Sequence, residues 1–201
     1  MSTGPSDHVP VRGLQGWTMS LRLQATNQLQ SRLEQVTTHR DVARVGSQYF
    51  RELLNARSVS VTTLEDGYFN ELINVGTLPP PSGWYPKETV YPESVYPATT
   101  EKLRAGGYFT ANLEDPDYVE LVGSRDDSEV QSVMGVPIVS GGQLLGEVFM
   151  AHGHGQGPFD QEDLDASCDL AGYLGDSLQA ATGRAEVQAG KARRGIRPSG
   201  Q

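Results

Sequence analysis

The stretch VQSVMGVPIVSGGQLLGEVFMAHG, residues 130–153, decides how this 201-residue chain folds. It consists of two apolar runs on either side of Gly141–Gly142. A glycine pair between two apolar runs is a strong signal for a tight turn, because both turn residues need a backbone conformation that glycine adopts easily. We therefore predict a β-hairpin of two apolar strands.

The second strand of this hairpin has apolar side chains on both of its faces. Successive side chains of a strand point to opposite sides. The two faces carry Val148, Met150 and His152, and Glu147, Phe149 and Ala151, respectively. Both faces are apolar enough to be covered by other elements. Glu147 is the exception, because a buried carboxylate needs a partner or a raised pKa. A position at the rim of the covered sheet fits the sequence equally well.

The hairpin leads into AHGHGQGPFDQEDLD, residues 151–165, where two histidines stand beside four carboxylates. His152 and His154 point to the same side of an extended strand and could share a metal ion. A transition-metal site usually needs three or four ligands. The further soft ligands of the chain are His8, His39 and Cys168. They lie far away in sequence or inside other predicted elements, so we predict no metal site.

The carboxylates of this stretch are better explained as the start of a helix. Asp160 occupies an N-cap position, and Asp163 follows at the spacing of a capping box. Acidic residues in the first turn are also favoured by the helix dipole. We therefore predict a strand, a glycine-rich turn and a last helix from about Gln161 to Ala181.

The last helix has one apolar stripe. At helical spacing it contains Leu164, Cys168, Ala171, Gly175 and Leu178. Cys168 is therefore interpreted as a small packed apolar side chain. Gly172 and Gly175 are poor helix formers, and their presence predicts close approach by another helix of the same chain or of a second subunit.

Residues 17–40 contain neither proline nor glycine and are predicted to form an amphipathic N-terminal helix. Its apolar stripe consists of Leu21, Ala25, Leu29, Leu33 and Val36. A stripe this narrow is typical of a helix that docks on one surface or pairs with a second copy. We expect pairing across a homodimer, through this helix and the C-terminal one.

A second helix and two strands follow. Asp41 is a candidate cap, and the inward positions of the helix are Val42, Val45, Tyr49, Leu53 and Leu54. The next stretch, RSVSVTTLEDGYFNELINVG, alternates apolar and polar residues around Asp66–Gly67. This pattern predicts two strands joined by a tight turn.

The middle of the chain, residues 77–127, is predicted to be irregular. TLPPPSGWYPKETVYPESVYP holds six of the twelve prolines, which excludes a long helix or a central strand. A short helix is predicted at 98–105, a strand at GYFTAN, and another short helix opened by Asp115 with Pro116 at its first position.

Composition limits the range of functions. The net charge of −9 argues against nucleic-acid binding. The single cysteine excludes an intramolecular disulfide and favours a reducing compartment, and no apolar run is long enough for a membrane helix. We expect a cytoplasmic protein without membrane contact. Residues 1–16 are predicted to be a flexible arm, and residues 183–201 a disordered basic tail, solvated or in contact with an acidic partner.

The order of these elements resembles the GAF domain family over roughly residues 40–182. The C-terminal half carries the likeness: Val136–Pro137 at the end of an apolar strand, a glycine turn, Gly146, and Phe159 through Asp163 opening the last helix. LLNARSVSVTTLEDG is similar to the first helix and strand of these domains, and VYPATTEKLRAGGYFTANLEDPDY to their middle segment.

The resemblance implies an α+β fold of the GAF type, related to PAS domains. A central antiparallel sheet would carry the terminal helices on one face and an irregular crossover, with a small-molecule pocket, on the other. Family ligands include cyclic nucleotides, tetrapyrroles, haem and small metabolites. The chain lacks an Asn-Lys-Phe-Asp-Glu signature like that of cyclic-nucleotide-binding members. Its one cysteine lies on the last helix and not near the pocket, where bilin-binding members place theirs. The sulfoxide-reducing branch needs more than one cysteine. The ligand, and any cofactor, stays unknown.

Candidate pocket residues follow from the crossover and from the strands beneath it. They are Tyr91, Tyr96, Thr99, Tyr108, Tyr118, Arg125, Met134, Met150 and His152. The tyrosines fit the packing of the crossover equally well. Arg125 is a candidate anion anchor, although the two aspartates that follow it fit a surface ion pair better.

Three functions are compatible with the sequence. The first is a dimeric sensor that binds a small molecule and signals to a protein partner, since no effector domain is recognised. The second is a ligand-free GAF-like scaffold for assembly. The third, an enzyme, is disfavoured because no nucleophile–base pair, phosphate loop or metal-ligand set is recognisable.

Overall fold

The computed structural model describes residues 17–76, 90–116 and 130–195. Within these ranges it contains four α-helices and six strands. The helices are α1 Met19–Leu33, α2 His39–Leu53, α3 Pro97–Arg104 and α4 Gln161–Gly195. The strands are β1 Ser58–Glu65, β2 Tyr68–Gly76, β3 Val90–Pro92, β4 Phe109–Asn112, β5 Val130–Ser140 and β6 Gln143–Gly153.

The six strands form one antiparallel sheet in the order β3-β2-β1-β6-β5-β4. Both predicted hairpins are confirmed. The turn between β1 and β2 has φ values of 51° at Asp66 and 80° at Gly67, and the turn between β5 and β6 has 58° at Gly141 and 78° at Gly142. Two successive positive φ angles match the right-handed twist of the flanking strands, which explains the choice of residues.

Helices α2 and α4 cover one face of the sheet, and α1 packs on these two helices, so the terminal helices lie on one side as expected. Their apolar side chains and those of the strands form the helix-face core, which includes Leu29, Val42, Phe50, Val61, Met134, Val136, Met150, Leu170 and Leu174. A Cβ on Gly46 of α2 would lie 2.7 Å from Leu174 Cδ1 of α4. The glycine therefore lets the two helices approach closely.

The neighbours of the α4 glycines differ from the prediction. A Cβ on Gly175 would lie 2.4 Å from the carbonyl oxygen of Val139 on β5, whereas one on Gly172 would meet nothing within 4 Å. Close approach at Gly175 is confirmed, but the neighbour is a strand of the sheet and not another helix.

The N-terminal helix ends earlier than expected and packs on its own chain. α1 ends at Leu33, and Thr38, not Asp41, caps α2 by accepting a hydrogen bond from the backbone N–H of Asp41. Ala25 and Leu29 of the apolar stripe are buried in the helix-face core. The Tyr49 hydroxyl donates to the Ala25 carbonyl oxygen at 2.8 Å. The stripe that led us to expect pairing across a dimer is therefore covered within the chain.

The last helix is longer than expected. α4 continues beyond Ala181 to Gly195, so residues 183–195 of the expected disordered tail are helical. Alanine, arginine, lysine and glutamate are frequent in this segment and favour a helix enough to offset its glycines. The guanidinium of Arg184 also donates to the Thr37 carbonyl oxygen at 3.2 Å and ties the extension to the α1–α2 loop. Residues 196–201 lie outside the described part.

The other face of the sheet carries the described part of the crossover. Here α3 and a short 3-10 turn, Glu93–Val95, lie beside β3, which pairs with β2 at the sheet edge. The second apolar cluster is the crossover-face core, made of Phe69, Leu103, Phe109, Ala111, Val130, Val133 and Ala151. Pro92 is tolerated because β3 is an edge strand.

The helix expected after Asp115 falls mainly outside the described residues. No helix of the described residues is long and apolar enough to cross a membrane.

Candidate functional site

Strand β6 places one carboxylate beneath the crossover. Glu147 shares a strand face with Phe149 and Ala151, which pack in or against the crossover-face core. Its side chain is buried, with 5% of the residue exposed. Among the described residues its Oε1 atom has no hydrogen-bond partner. Burial raises the pKa of this carboxyl to about 8, so it holds a proton at neutral pH.

A glycine on the neighbouring strand makes room for this carboxyl. Gly135 of β5 is paired with Phe149 of β6. A Cβ at Gly135 would lie 2.4 Å from Glu147 Oε1 and 2.2 Å from Phe109 Cε1. Such distances are shorter than any real carbon contact, so no other residue fits here without displacing one of the two side chains.

A second carboxylate lies on the same face, across β1. Thr62 of β1 is paired with Glu147 of β6 on one side and with Glu71 of β2 on the other. Glu71 is half-buried. Burial raises the pKa of its carboxyl, and a hydrogen bond with Asn74 partly opposes this effect. The pairing of three strands therefore places two acidic side chains, 76 positions apart in sequence, on the same face with one strand between them.

Aromatic side chains from the edge of the sheet complete the site. Tyr91 of β3 stacks on Phe69 with ring centroids 5.4 Å apart and meets the edge of Tyr96 at 5.8 Å. Burial raises the pKa of Tyr91 above its usual range, and the nearby Glu147, Tyr96 and Glu71 add to this effect. We call this region the acidic recess. It comprises Phe69, Glu71, Tyr91, Tyr96, Phe109, Gly135 and Glu147.

The structure divides the crossover residues chosen from the sequence. Tyr91 and Tyr96 belong to the acidic recess, and Thr99 is buried on α3. Tyr108 is 38% exposed, and its hydroxyl accepts a hydrogen bond from the Gln161 amide at 3.0 Å, away from the recess. Two further candidates, Tyr118 and Arg125, lie outside the described residues.

Three candidates from the strands lie on the opposite face of the sheet, which corrects their assignment. Met134 and Met150 are fully buried in the helix-face core. His152 points the same way. Its Nδ1 lies 2.7 Å from the Gly157 carbonyl oxygen and its Nε2 lies 3.2 Å from that of Leu54. Side chains alternate along a strand, so Met150 and His152 point to the face opposite Glu147. A pocket assigned to their face therefore could not include Glu147.

The histidine and carboxylate stretch forms a turn and a helix start, as predicted. Both ring nitrogens of His152 face backbone carbonyl oxygens, and His154 is exposed and contacts the Gln131 side chain at 3.1 Å. Asp160 accepts a hydrogen bond from the backbone N–H of Asp163, and Asp163 accepts one from that of Asp160. These reciprocal bonds are the predicted capping box. Among the described residues, no group of three or more histidine, cysteine or acidic side chains is arranged to hold a metal ion.

Cys168 lies far from the acidic recess. It packs at the border of the helix-face core on α4, on the other side of the sheet. Burial, with the nearby Asp165 and Asp169, raises the pKa of its thiol to about 11. A thiol with such a pKa stays protonated at neutral pH and is a poor nucleophile. The predicted role as a packed side chain agrees with this environment.

Sequence reasoning singled out Glu147 as unusual but did not place it in the site, and it missed Glu71 and Gly135. One signal was available, because Glu147 shares a strand face with Phe149 and Ala151, opposite the methionines. No local signal pointed to Glu71, because its position depends on the pairing of β1 with two other strands.

Comparisons with known proteins agree with this architecture. The family model described as GAF domain matches residues 40–178. No curated protein sequence matches the chain. Many solved structures do, although at identities that establish the fold alone.

Three of these structures illustrate the likeness. A GAF domain/HD domain protein from Geobacter sulfurreducens is 22% identical with a TM-score of 0.60, covering 75% of this chain and 98% of that one. The chromophore-binding domain of a Stigmatella aurantiaca bacteriophytochrome is 13% identical with a TM-score of 0.66, covering 84% and 63%. The free methionine-R-sulfoxide reductase of Neisseria meningitidis, solved with its substrate, is 18% identical with a TM-score of 0.60, covering 82% and 92%.

Proposed function

The chain belongs to the GAF domain family, and from this premise we propose that it is a sensory module that binds a small molecule in the acidic recess. The family is known for small-molecule binding in sensory proteins. The observation that carries the proposal is the buried Glu147 carboxyl, whose Oε1 atom has no hydrogen-bond partner among the described residues. A structural scaffold gains nothing from such a group.

The cost of this carboxyl supports a role in binding. A buried polar group without a partner lowers stability, and a carboxyl with a strongly raised pKa inside a recess is typical of functional sites. Gly135 lets the carboxyl oxygen lie close against β5, and Tyr91 stacks on Phe69 on the same face of the sheet. A ligand that pairs with Glu147 would therefore stabilise the folded chain as well as report its own presence.

The recess is connected to the helical face through β6. This strand carries Glu147 on one face and Met150 on the other, and it leads through the 154–160 turn into α4. A change at Glu147 therefore acts on the strand that α4 follows. We place the output at the terminal helices, as a change of association with a protein partner or with a second copy.

The homodimer needs a surface other than the one expected from the sequence. On the outer side of α1, Met19 is 82% exposed and Leu23 is 60% exposed, and they lie one turn apart. Val187 on the extension of α4 is 57% exposed. We propose these side chains as the contact between copies, because large exposed apolar side chains often mark interaction sites.

Sedimentation analysis of the oligomeric state tests this contact. The variant is Met19→Ser/Leu23→Ser, and the control is Gln24→Ala/Asn27→Ala. A variant as dimeric as the parent would contradict it.

A binding role fits this chain better than a catalytic one. The Neisseria meningitidis reductase shows that an enzyme can share the fold. Here the single cysteine lies on the face opposite the recess, with a pKa raised to about 11. One cysteine also favours the cytoplasm as the compartment, and the net charge of −9 argues against a nucleic-acid partner.

Native mass spectrometry of the freshly purified protein tests the proposal. We expect a non-covalent added mass that disappears on denaturation and is reduced in Glu147→Gln purified in parallel. Glu65→Gln, the same substitution at an exposed site on β1, is the matched control and should retain the mass. Protein without added mass, together with no response to any ligand, would favour the scaffold instead.

A further inference from the structure

We propose that the ligand of the acidic recess is a small organic cation, whose amidinium, guanidinium or ammonium group pairs with Glu147. This inference rests on the proposed function. The proposal goes beyond binding as such because it assigns a chemical class to the ligand and a role to each side of the recess. The placement of the carboxyl, the sign of the surrounding charges and the aromatic side chains each support it.

The first argument is geometric. Glu147 Oε1 is a buried acceptor without a partner among the described residues, and it lies in the space that Gly135 leaves open beside the Phe109 ring. A carboxyl oxygen in that position is satisfied by a donor hydrogen. The protonated acid can also pair with an acceptor, whereas a cationic donor satisfies the ionised form and balances its buried charge.

The second argument is the sign of the charge. Among the described residues, Tyr91 of β3 lies close enough to be affected by Glu147, Tyr96 and Glu71, and none of these groups can carry a positive charge. Within the described ranges no ion pair includes Glu147 or Glu71. In the described part of the crossover the basic side chains are Lys102 and Arg104; both are exposed, and Arg104 is paired with Glu93. Among the described residues an anion would therefore find no positive charge here, whereas a cation would be attracted to Glu147 as soon as that carboxyl ionises.

The third argument is the aromatic lining. Tyr91 lies edge to face with Tyr96 and stacks on Phe69. The faces of such rings attract cations at separations of about 6 Å or less, most strongly when water is excluded. A flat, delocalised cation can pair with a carboxylate through two parallel hydrogen bonds and stack against an aromatic ring at the same time. The recess therefore favours amidinium and guanidinium groups over a compact ammonium.

Cation binding should be coupled to a proton. In the free recess burial keeps the pKa of Glu147 at about 8, so the carboxyl is protonated at pH 7. A bound cation stabilises the ionised form and lowers that pKa, so one proton leaves the protein as the cation enters. Affinity for a cation should therefore increase as the pH rises toward 8.

Three flat probes of nearly equal size and different charge test the inference. They are benzamidine, benzamide and benzoate. With the full chain we expect benzamidine to bind most tightly and benzoate least. Glu147→Gln should lower the affinity for benzamidine by roughly tenfold or more, because a charge-assisted pair is lost. The control, Glu65→Gln, should bind benzamidine with the same affinity as the parent. Calorimetry at pH 7 in two buffers of different ionisation enthalpy should show release of a proton.

Several outcomes would overturn the proposal. They are equal or tighter binding of benzoate, an unchanged benzamidine affinity in Glu147→Gln, or binding without proton release. Absence of a response to all three probes would also overturn the assignment of a small cation. If native mass spectra still show a bound molecule, the proposed function stands and the ligand class alone is wrong. If they show none, both fail.

Discussion

The two faces of the sheet are built from the same strands but differ in how their side chains are packed. On the helix face, Met134, Val136 and Met150 are completely buried against α2 and α4. On the crossover face, β6 presents Phe149 and Glu147. Glu147 is buried, and its Oε1 atom has no hydrogen-bond partner among the described residues. One face is packed for stability. The other retains a group that lowers stability, which is the expected signature of a binding site.

This contrast predicts different responses to substitution. Shortening a side chain in the helix-face core should destabilise the protein and leave ligand binding unchanged. Glu147→Gln should weaken ligand binding without destabilising the protein. The predictions below test this division, in order of decreasing effect.

Leu29→Ala should have the largest effect. Leu29 is fully buried between α1 and the rest of the helix-face core, so a cavity remains when it is shortened. We expect a loss of roughly 3–5 kcal/mol in the free energy of unfolding, measured by urea denaturation. The control on the same helix is Gln24→Ala, at an exposed residue, with an expected change of about 0.5 kcal/mol or less. Equal losses would mean that α1 does not pack as described.

Glu147→Gln should change how stability depends on pH. The ordinary pKa of this carboxyl is 4.5, and in the folded chain it is about 8. Between these pH values the folded state binds more protons than the unfolded state, so the free energy of unfolding falls as pH rises and levels off above 8.

Relative to Glu147→Gln, the parent should lose roughly 3–4 kcal/mol of stability between pH 4.5 and 8, at about 1.4 kcal/mol for each pKa unit. Urea denaturation at several pH values measures the difference, with Glu65→Gln as the control. Parallel curves for the parent and Glu147→Gln would show that the carboxyl is already paired in the folded chain.

Gly135→Ala should damage the acidic recess with a smaller loss of stability. The new Cβ would overlap both Glu147 Oε1 and the Phe109 ring, and we expect a cost of roughly 1–3 kcal/mol from the forced shift. The added mass in native spectra should disappear as well. Gly172→Ala, where a Cβ meets nothing within 4 Å, is the control and should stabilise α4 by about 0.5–1 kcal/mol. A tolerated Gly135→Ala that keeps its ligand would show that the recess does not need this space.

Met150→Leu should have the smallest effect. The substitution nearly conserves volume within the helix-face core, so we expect a loss below about 1.5 kcal/mol. Ligand retention in native spectra should equal that of the parent, because Met150 points away from Glu147 along the same strand. Loss of the ligand in this variant would break the division between the two faces.

Much of the fold could be predicted because its signals are local. The turns at Asp66–Gly67 and Gly141–Gly142, and the capping box of Asp160 and Asp163, depend on residues within a few positions of one another. The family resemblance then supplied the order of the layers. The end of α1 at Leu33 and the extension of α4 to Gly195 were missed, because helix ends depend on competing contacts as well as on propensity.

The site was predicted only in part. Tyr91 and Tyr96 were named and lie in the recess, whereas Met134, Met150 and His152 belong to the opposite face. Alternation along β6 divides its residues correctly into two groups, but it cannot tell which group faces the helices. That choice depends on packing between segments far apart in the chain.

The sequence by itself determined the strands of the two hairpins and β4, the tight turns, the helix start after β6 and the presence of one acidic residue, Glu147, in an apolar strand. It did not predict β3. Periodicity and turn chemistry act over a few residues, so they can be read without the fold. Only the tertiary structure decided which face covers Glu147, that Glu71 joins it across Thr62, and that the α1 stripe packs on its own chain. These features arise from strand register and from the burial of apolar surface between distant segments, and no local pattern encodes either.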